Sequence, residues 1–178
     1  MHLRLTPSRM LDLWVLHSGY SPSFTDAAFR RNDGIDTSAI HLSEMKQWYR
    51  RLLLEAPASC LVADDLSKSI ILTPASDGSV VIDLPQSVVR IVSVRLDSWL
   101  TSARIVTSPT HPAAMRQLHP YTRATPSRPV AIFHDNRLHL YPAAASGESV
   151  RTLLCVSYDE DEYRLDDSAF ATIHPRQL

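Results

Sequence analysis

Between Ser79 and Tyr158 the chain is a succession of short apolar runs parted by prolines and turn residues, and this pattern limits the fold more than any other feature. Ser79-Val80-Val81-Ile82-Asp83-Leu84-Pro85 opens it, and Val88-Val89-Arg90-Ile91-Val92-Ser93-Val94-Arg95-Leu96 follows, with Trp99 beyond. After a connection rich in arginine and proline come Val130-Ala131-Ile132-Phe133, Arg137-Leu138-His139-Leu140-Tyr141 and Val150-Arg151-Thr152-Leu153-Leu154-Cys155-Val156-Ser157-Tyr158. Short stretches of alternating apolar and polar residues mark half-buried strands. Their recurrence predicts an antiparallel β domain around one core, either a sandwich or an open barrel.

The details follow from the same alternation. Val92, Val94 and Leu96 are expected on one face of their strand, with Ser93, Arg95 and Asp97 on the other. His134-Asp135-Asn136 predicts a hairpin between Val130–Phe133 and Leu138–Tyr141, and Asp77-Gly78 predicts another between Ser69–Thr73 and Ser79–Leu84. With Leu138 and Leu140 facing the core, Arg137, His139 and Tyr141 should face out. Ala103–Thr107 reads as a short strand, and Asp64-Asp65 as loop. Ser108 to Arg128, rich in proline and hydroxyl residues, reads as a surface excursion with one helical turn near Ala113–Leu118.

The N-terminal third has helical spacing instead. Thr6 caps a first helix, Pro7 falls at its favoured first position and Gly19 supplies a left-handed stop. Met10, Leu13, Trp14 and His17 mark one face, which Leu11 and Val15 widen. Thr25–Arg31 reads as a short helical turn ended by Asn32-Asp33-Gly34. A second helix, with Leu42, Met45, Trp48, Tyr49, Leu52 and Leu53 at helical spacing, runs to about Ala56 before Pro57; Ser43 is a candidate cap within that span. The expectation is an α+β protein: helices in residues 1–58 packed on an antiparallel β domain in 59–158, then an acidic tail, 159–178.

Chemistry is harder to find. The four glycines, Gly19, Gly34, Gly78 and Gly147, stand alone, so neither phosphate-cradling fingerprint is present. There is no nucleophile elbow and no metalloprotease histidine pair. His134 and His139 straddle a hairpin and read as surface residues rather than ligands. Cys60 and Cys155 are too few for a disulfide framework or a zinc site, and Cys155 reads as core. The Asp159–Glu162 run lacks the alternation and glycine of a calcium loop. The expectation is therefore no enzyme, no cofactor and no metal. No apolar run reaches the length of a membrane span, and the N-terminal residues hold no apolar core of signal-peptide length.

Charge is unevenly spread. The net charge is −1, yet 16 of the 18 basic residues are arginine. Arg90, Arg95, Arg104, Arg116, Arg123, Arg128 and Arg137 lie between Val88 and Leu140 against only Asp97 and Asp135. From Glu148 onward seven acids face three arginines. A basic segment and an acidic tail on one chain would let copies attract each other head to tail; folding of the two segments against each other, or simple solvation, explains the charges equally well. Seven arginines with Tyr121 nearby also fit a single-strand nucleic-acid groove, a minority reading with pI ≈ 6.7.

In the order of these features the chain resembles a family. An extended segment ends in Ile82-Asp83-Leu84-Pro85 and leads to Val89-Arg90-Ile91-Val92-Ser93-Val94-Arg95-Leu96 with Trp99. A polar excursion then passes through Thr125-Pro126-Ser127-Arg128-Pro129 into Val130-Ala131-Ile132-Phe133, before Arg137-Leu138-His139-Leu140-Tyr141-Pro142-Ala143 and a last strand ending Val156-Ser157-Tyr158. This is similar to the head–tail adaptor proteins (connector or neck, tail tubular type) of short-tailed and crAss-like bacteriophages. The resemblance implies a virion structural protein forming a ring of identical subunits, commonly twelve, in the virion neck, made in the cytoplasm of the host bacterium. Its implied partners are itself, the portal protein, a tail or nozzle protein, and DNA passing without sequence-specific contacts; no membrane is implied. The seven arginines and Asp159, Glu160, Asp161 and Glu162 are then the expected complementary patches, with Trp99, Tyr121 and Tyr163 as buried anchors of the interface. The competing expectation is a β-sandwich that binds a ligand or carbohydrate on a platform of Trp99 and Tyr141.

Overall fold

The computed structural model describes residues 1–19, 37–143 and 147–173. The turn expected over Thr25–Arg31 lies outside them. Among the described residues the elements run β1 (His2–Leu5), α1 (Pro7–His17), α2 (Thr37–Glu55), β2 (Asp64–Asp65), β3 (Thr73–Pro74), β4 (Val80–Asp83) and β5 (Val88–Leu96). There follow β6 (Arg104–Val106), α3 (Pro112–Met115), β7 (Val130–His134), β8 (Arg137–Tyr141), β9 (Val150–Ser157) and β10 (Tyr163–Asp166). The chain is α+β and divides into two units, one built from residues 63–157 and the other from 1–62 with 158–178.

In the first of these, the turn between β7 and β8 places Asp135 and Asn136 at φ of 50° and 57°. Two consecutive left-handed residues are what a two-residue hairpin turn requires, and Asp and Asn tolerate that region best after glycine. β8 pairs on its other side with β4, setting Ile82 opposite Leu138, and β4 pairs with β3. The sheet runs β3-β4-β8-β7-β6, and β6 lies parallel to β7. The expectation of a wholly antiparallel sheet is thus corrected at this edge. A parallel pair needs a long crossover, which the excursion over residues 107–129 supplies.

The second sheet of this unit is β2-β9-β5. One buried cluster joins the two sheets: Val80, Ile82, Ala131, Leu138 and Leu140 from one, Ile91, Val94, Leu96, Leu153 and Cys155 from the other, with Trp99 among them. That arrangement is a sandwich core. Three register shifts interrupt the pairing of β5 with β9, so burial falls at Val88, Ile91, Val94 and Leu96 while Val92 is only half-buried. Bulges reset the alternation that strict periodicity predicts. The strand expected over Ser69–Thr73 shrinks to Thr73–Pro74, and Ile71 is 82% exposed. Asp64-Asp65, expected as loop, pairs with β9, and Asp65 accepts hydrogen bonds from the Ser67 and Leu153 amides.

The other unit closes residues far apart in sequence. Thr6 caps α1, accepting from the Arg9 amide, and Gly19 follows it at φ 78°. Met10, Trp14, Met45, Tyr49, Leu52 and Leu53 are buried on the two helices. Ser43 lies inside α2 and caps nothing there. β1 and β10 form a two-stranded antiparallel sheet, Leu3 opposite Leu165. The segment expected as a separate acidic tail is therefore part of the N-terminal unit. Its Tyr163, Leu165, Phe170 and Ile173 are buried, which supplies the reason: the tail's apolar residues complete that unit's core.

Candidate functional site

The crossover between β6 and β7 builds the most distinctive surface of the sandwich unit. His111 caps α3 by accepting at Nδ1 from the Ala113 amide, with Pro112 in the first turn. The chain tightens into 3-10 turns at Arg116–Leu118 and Pro120–Thr122. Gln117 holds this segment together. Its buried Nε2 donates to Ala113 O at 2.8 Å, and its Oε1 accepts from Ala124 N at 2.9 Å. Arg123 Nε donates to the Gln117 carbonyl at 3.0 Å, and Thr122 Oγ1 donates to Arg116 O at 2.8 Å. A buried amide with both ends paired fixes the loop, alongside a small apolar cluster of Val106, Ala113, Ala114 and Val130.

The opposite wall is the turn Thr125-Pro126-Ser127-Arg128, closed by Arg128 N donating to Thr125 O at 2.8 Å. Leu100 N donates to Pro126 O and Arg104 N to Pro129 O, both at 2.9 Å, which tie this turn to the edge of β6. Between the walls lies a groove of about 710 Å³ onto which Arg104, Arg116, Arg123, Arg128 and Tyr121 converge, and among the described residues no carboxylate lines it. Arg104, Arg116 and Arg128 are exposed, and Tyr121 is fully so. The same stretches leave Leu100, Met115 and Leu118 exposed.

Arg123 reaches across the β3–β4 turn. Its Nη1 lies 2.9 Å from where a Cβ on Gly78 would sit, and Gly78 has φ +78°. The left-handed backbone favours glycine here, and a side chain at this position would also make the Arg123 tip shift. Next to it, Asp77 accepts from Ser79 N at 2.9 Å, Ser79 Oγ at 2.6 Å and Tyr141 Oη at 2.7 Å. Burial works to raise this carboxyl's pKa, yet the bonds from Ser79 and Tyr141 outweigh it and hold the group down at about 2. Tyr141, expected to face out, is buried, because this turn covers it.

Of the fourteen residues singled out in the sequence, five meet in the groove. Arg90 and Arg95 sit half-buried on β5 in the other sheet, and Arg95 Nε donates to Trp99 O at 3.1 Å. Arg137 pairs with Asp83 across β8 and β4 at 3.0 Å. Trp99 and Tyr163 are 1% and 0% exposed, so neither anchors a partner; both fill the cores of their own units. In the other unit Asp159, Glu160 and Asp161 are exposed and Glu162 partly so, on a turn that Asp159 Oδ1 closes by accepting from Asp161 N at 2.9 Å. Gly78 is the turn residue that the sequence predicts, but its approach to Arg123 is not legible there, and the helical spacing from Ala113 to Gln117 is the only sign that Gln117 turns inward.

Other chemistry is sparse. Burial pushes the Cys155 thiol up to about 12, with Asp65 and Asp64 adding to it. A thiol held protonated is a core group rather than a nucleophile. Among the described residues no group of three His, Cys, Asp or Glu is arranged to hold a metal ion, and no helix is long and apolar enough to cross a membrane. A cavity of about 470 Å³ in the N-terminal unit mixes Trp14 and Trp48 with Glu44, Arg51 and Glu55, so it selects no single sign of charge. No protein-family model matches the chain, and no curated protein is significantly similar to it.

Proposed function

We propose that the chain is a virion structural protein: a subunit of the ring that joins portal to tail in a bacteriophage neck and extends the DNA channel. One observation carries the reading. The same chain bears an arginine groove with no carboxylate in its lining among the described residues and, elsewhere, a turn of four consecutive acids, three of them exposed. A ring requires a heterologous interface, in which one patch meets a different patch on the next copy. Two patches of opposite charge on one chain meet that requirement. The order of sequence features that resembles the adaptor family supports the same reading, as does the absence from the sequence of every nucleotide-binding or nucleophile fingerprint considered above.

In this role the subunit's partners are further copies of itself, the portal protein and a tail or nozzle protein. DNA slides through without base-specific contacts. Light scattering of the purified protein, alone and mixed with the portal protein of the same genome, tests it. A large ring or a stable portal complex is expected; a monomer that ignores the portal at micromolar concentration overturns the reading. A carbohydrate- or ligand-binding module would need an exposed aromatic platform. Trp99 and Tyr141 are both buried, so the platform expected for that alternative is not formed.

A further inference from the structure

Resting on that reading, we infer that the groove between residues 101 and 130 is the seat for the Asp159–Glu162 turn of a second copy, with Tyr121 as the anchor beside it. The first ground is electrostatic. Among the described residues of their own unit, Arg104, Arg116, Arg123 and Arg128 have no carboxylate partner, whereas Arg137 on the same unit has Asp83. Four like charges gathered at one groove repel each other until an anion arrives. Asp159, Glu160, Asp161 and Glu162 likewise have no cationic partner among the described residues of their unit.

The second ground is geometric. Gln117 pins one wall, the Thr125–Arg128 turn forms the other, and the Asp159 side chain closes the acidic turn. Both surfaces are ordered before they meet, which lowers the entropy lost on docking. Arginine forks match carboxylates in bidentate pairs, and a fully exposed tyrosine among arginines has the composition of an interface hot spot. Nucleic acid is the other polyanion that a row of arginines could hold. The net charge of −1 gives that partner no general attraction, while the acidic turn on the same chain is opposite to the groove in sign and equal to it in number of charges.

The test is sedimentation velocity on the full chain, alone, with portal protein and with a single-stranded oligonucleotide, at low and high salt. Three exposed groove residues are reversed together (Arg104→Glu, Arg116→Glu, Arg128→Glu), and separately two turn residues (Glu160→Lys, Asp161→Lys). Arg123 and Asp159 stay, because their side chains hold local structure. Each set is expected to weaken self-association by about tenfold or more, and combining both sets in one chain should recover part of what the groove set alone costs, because the turn then no longer repels the reversed groove. Circular dichroism of each variant checks folding, and the turn variant tests the inference even if the groove variant fails to fold. Self-association untouched by either set overturns the groove and leaves the connector reading standing. Oligonucleotide binding that the groove reversals abolish, with self-association unchanged, gives the groove to nucleic acid and overturns the inference. No association in any mixture overturns both.

Discussion

The two units are stabilised in different ways. The sandwich unit takes one continuous stretch, residues 63–157, and its two sheets enclose a single apolar cluster around Trp99. The other unit draws on both halves of the chain. Its small sheet joins His2–Leu5 to Tyr163–Asp166, and α2 holds that sheet through Tyr49, whose hydroxyl donates to Arg164 O and accepts from Arg164 N. Where a core is built from many neighbouring strands, apolar volume decides stability. Where distant segments close on each other, a few directional bonds decide which register they take. Substitutions should separate these two regimes.

The largest effect belongs to the sandwich. Trp99→Ala empties the centre of its core and should cost about 3–5 kcal/mol, read from the urea midpoint, with faster amide exchange at Ile91 and Leu153. A cost below about 1 kcal/mol would mean that the two sheets do not share that core. Tyr49→Phe is next. It keeps the ring and its edge contact with Tyr163 but strips two hydrogen bonds from the partly buried β10 backbone at Arg164. The expected cost is about 1–3 kcal/mol, with exchange accelerated at Arg164 and Leu165. No change at those amides would sink the claim that this hydroxyl sets the register.

The same contrast explains which parts were legible in the sequence. The β7–β8 hairpin could be read because its turn residues, Asp135 and Asn136, and its alternating leucines are local signals. Thr6, Pro7 and Gly19 delimited α1 for the same reason. The β1–β10 pairing could not be read, since nothing in His2–Leu5 names a partner more than 150 residues away. Nor could the β5 register, because bulges belong to a strand pair and not to one strand. The parallel β6 escaped because a three-residue strand carries no sign of direction.

For the candidate site, charge counting gathered the right segment but not the right surface. Arg104, Arg116, Arg123 and Arg128 come together because Gln117 and the Thr125–Arg128 turn fold the crossover back on β6. Arg90, Arg95 and Arg137 are indistinguishable from them in sequence, yet they lie on other strands. Trp99 and Tyr163 were misjudged because an aromatic residue beside charges fits an interface and a core equally well until its burial is known.

A smaller effect tests the ties at the edge of the sandwich. Asp77 has a folded pKa of about 2 against an ordinary value of 3.8. A depressed carboxylate adds stability at pH above the ordinary value and loses it as pH falls through the folded one. The sandwich should therefore weaken between about pH 4 and pH 2, and Asp77→Asn should flatten that part of the profile. Asp77 is exposed, so solvent screening keeps the difference to about 1 kcal/mol or less. Parallel profiles for the two proteins would remove Asp77 from the stability of that turn.

The smallest effect is the sharpest test of the comparison, because it sits beside the second largest. Tyr163 packs edge-on to Tyr49 with ring centroids 4.8 Å apart, and both rings are buried. Their hydroxyls differ: that of Tyr49 holds the β10 backbone at Arg164, while that of Tyr163 has no hydrogen-bond partner among the described residues. Burying an unpaired hydroxyl costs free energy, so its removal gives back what the lost packing takes. Tyr163→Phe should thus leave the urea midpoint unchanged to within about 0.5 kcal/mol, or raise it slightly. If the two substitutions cost the same, the N-terminal unit is held by its aromatic volume, as the sandwich is, and the distinction between the units fails.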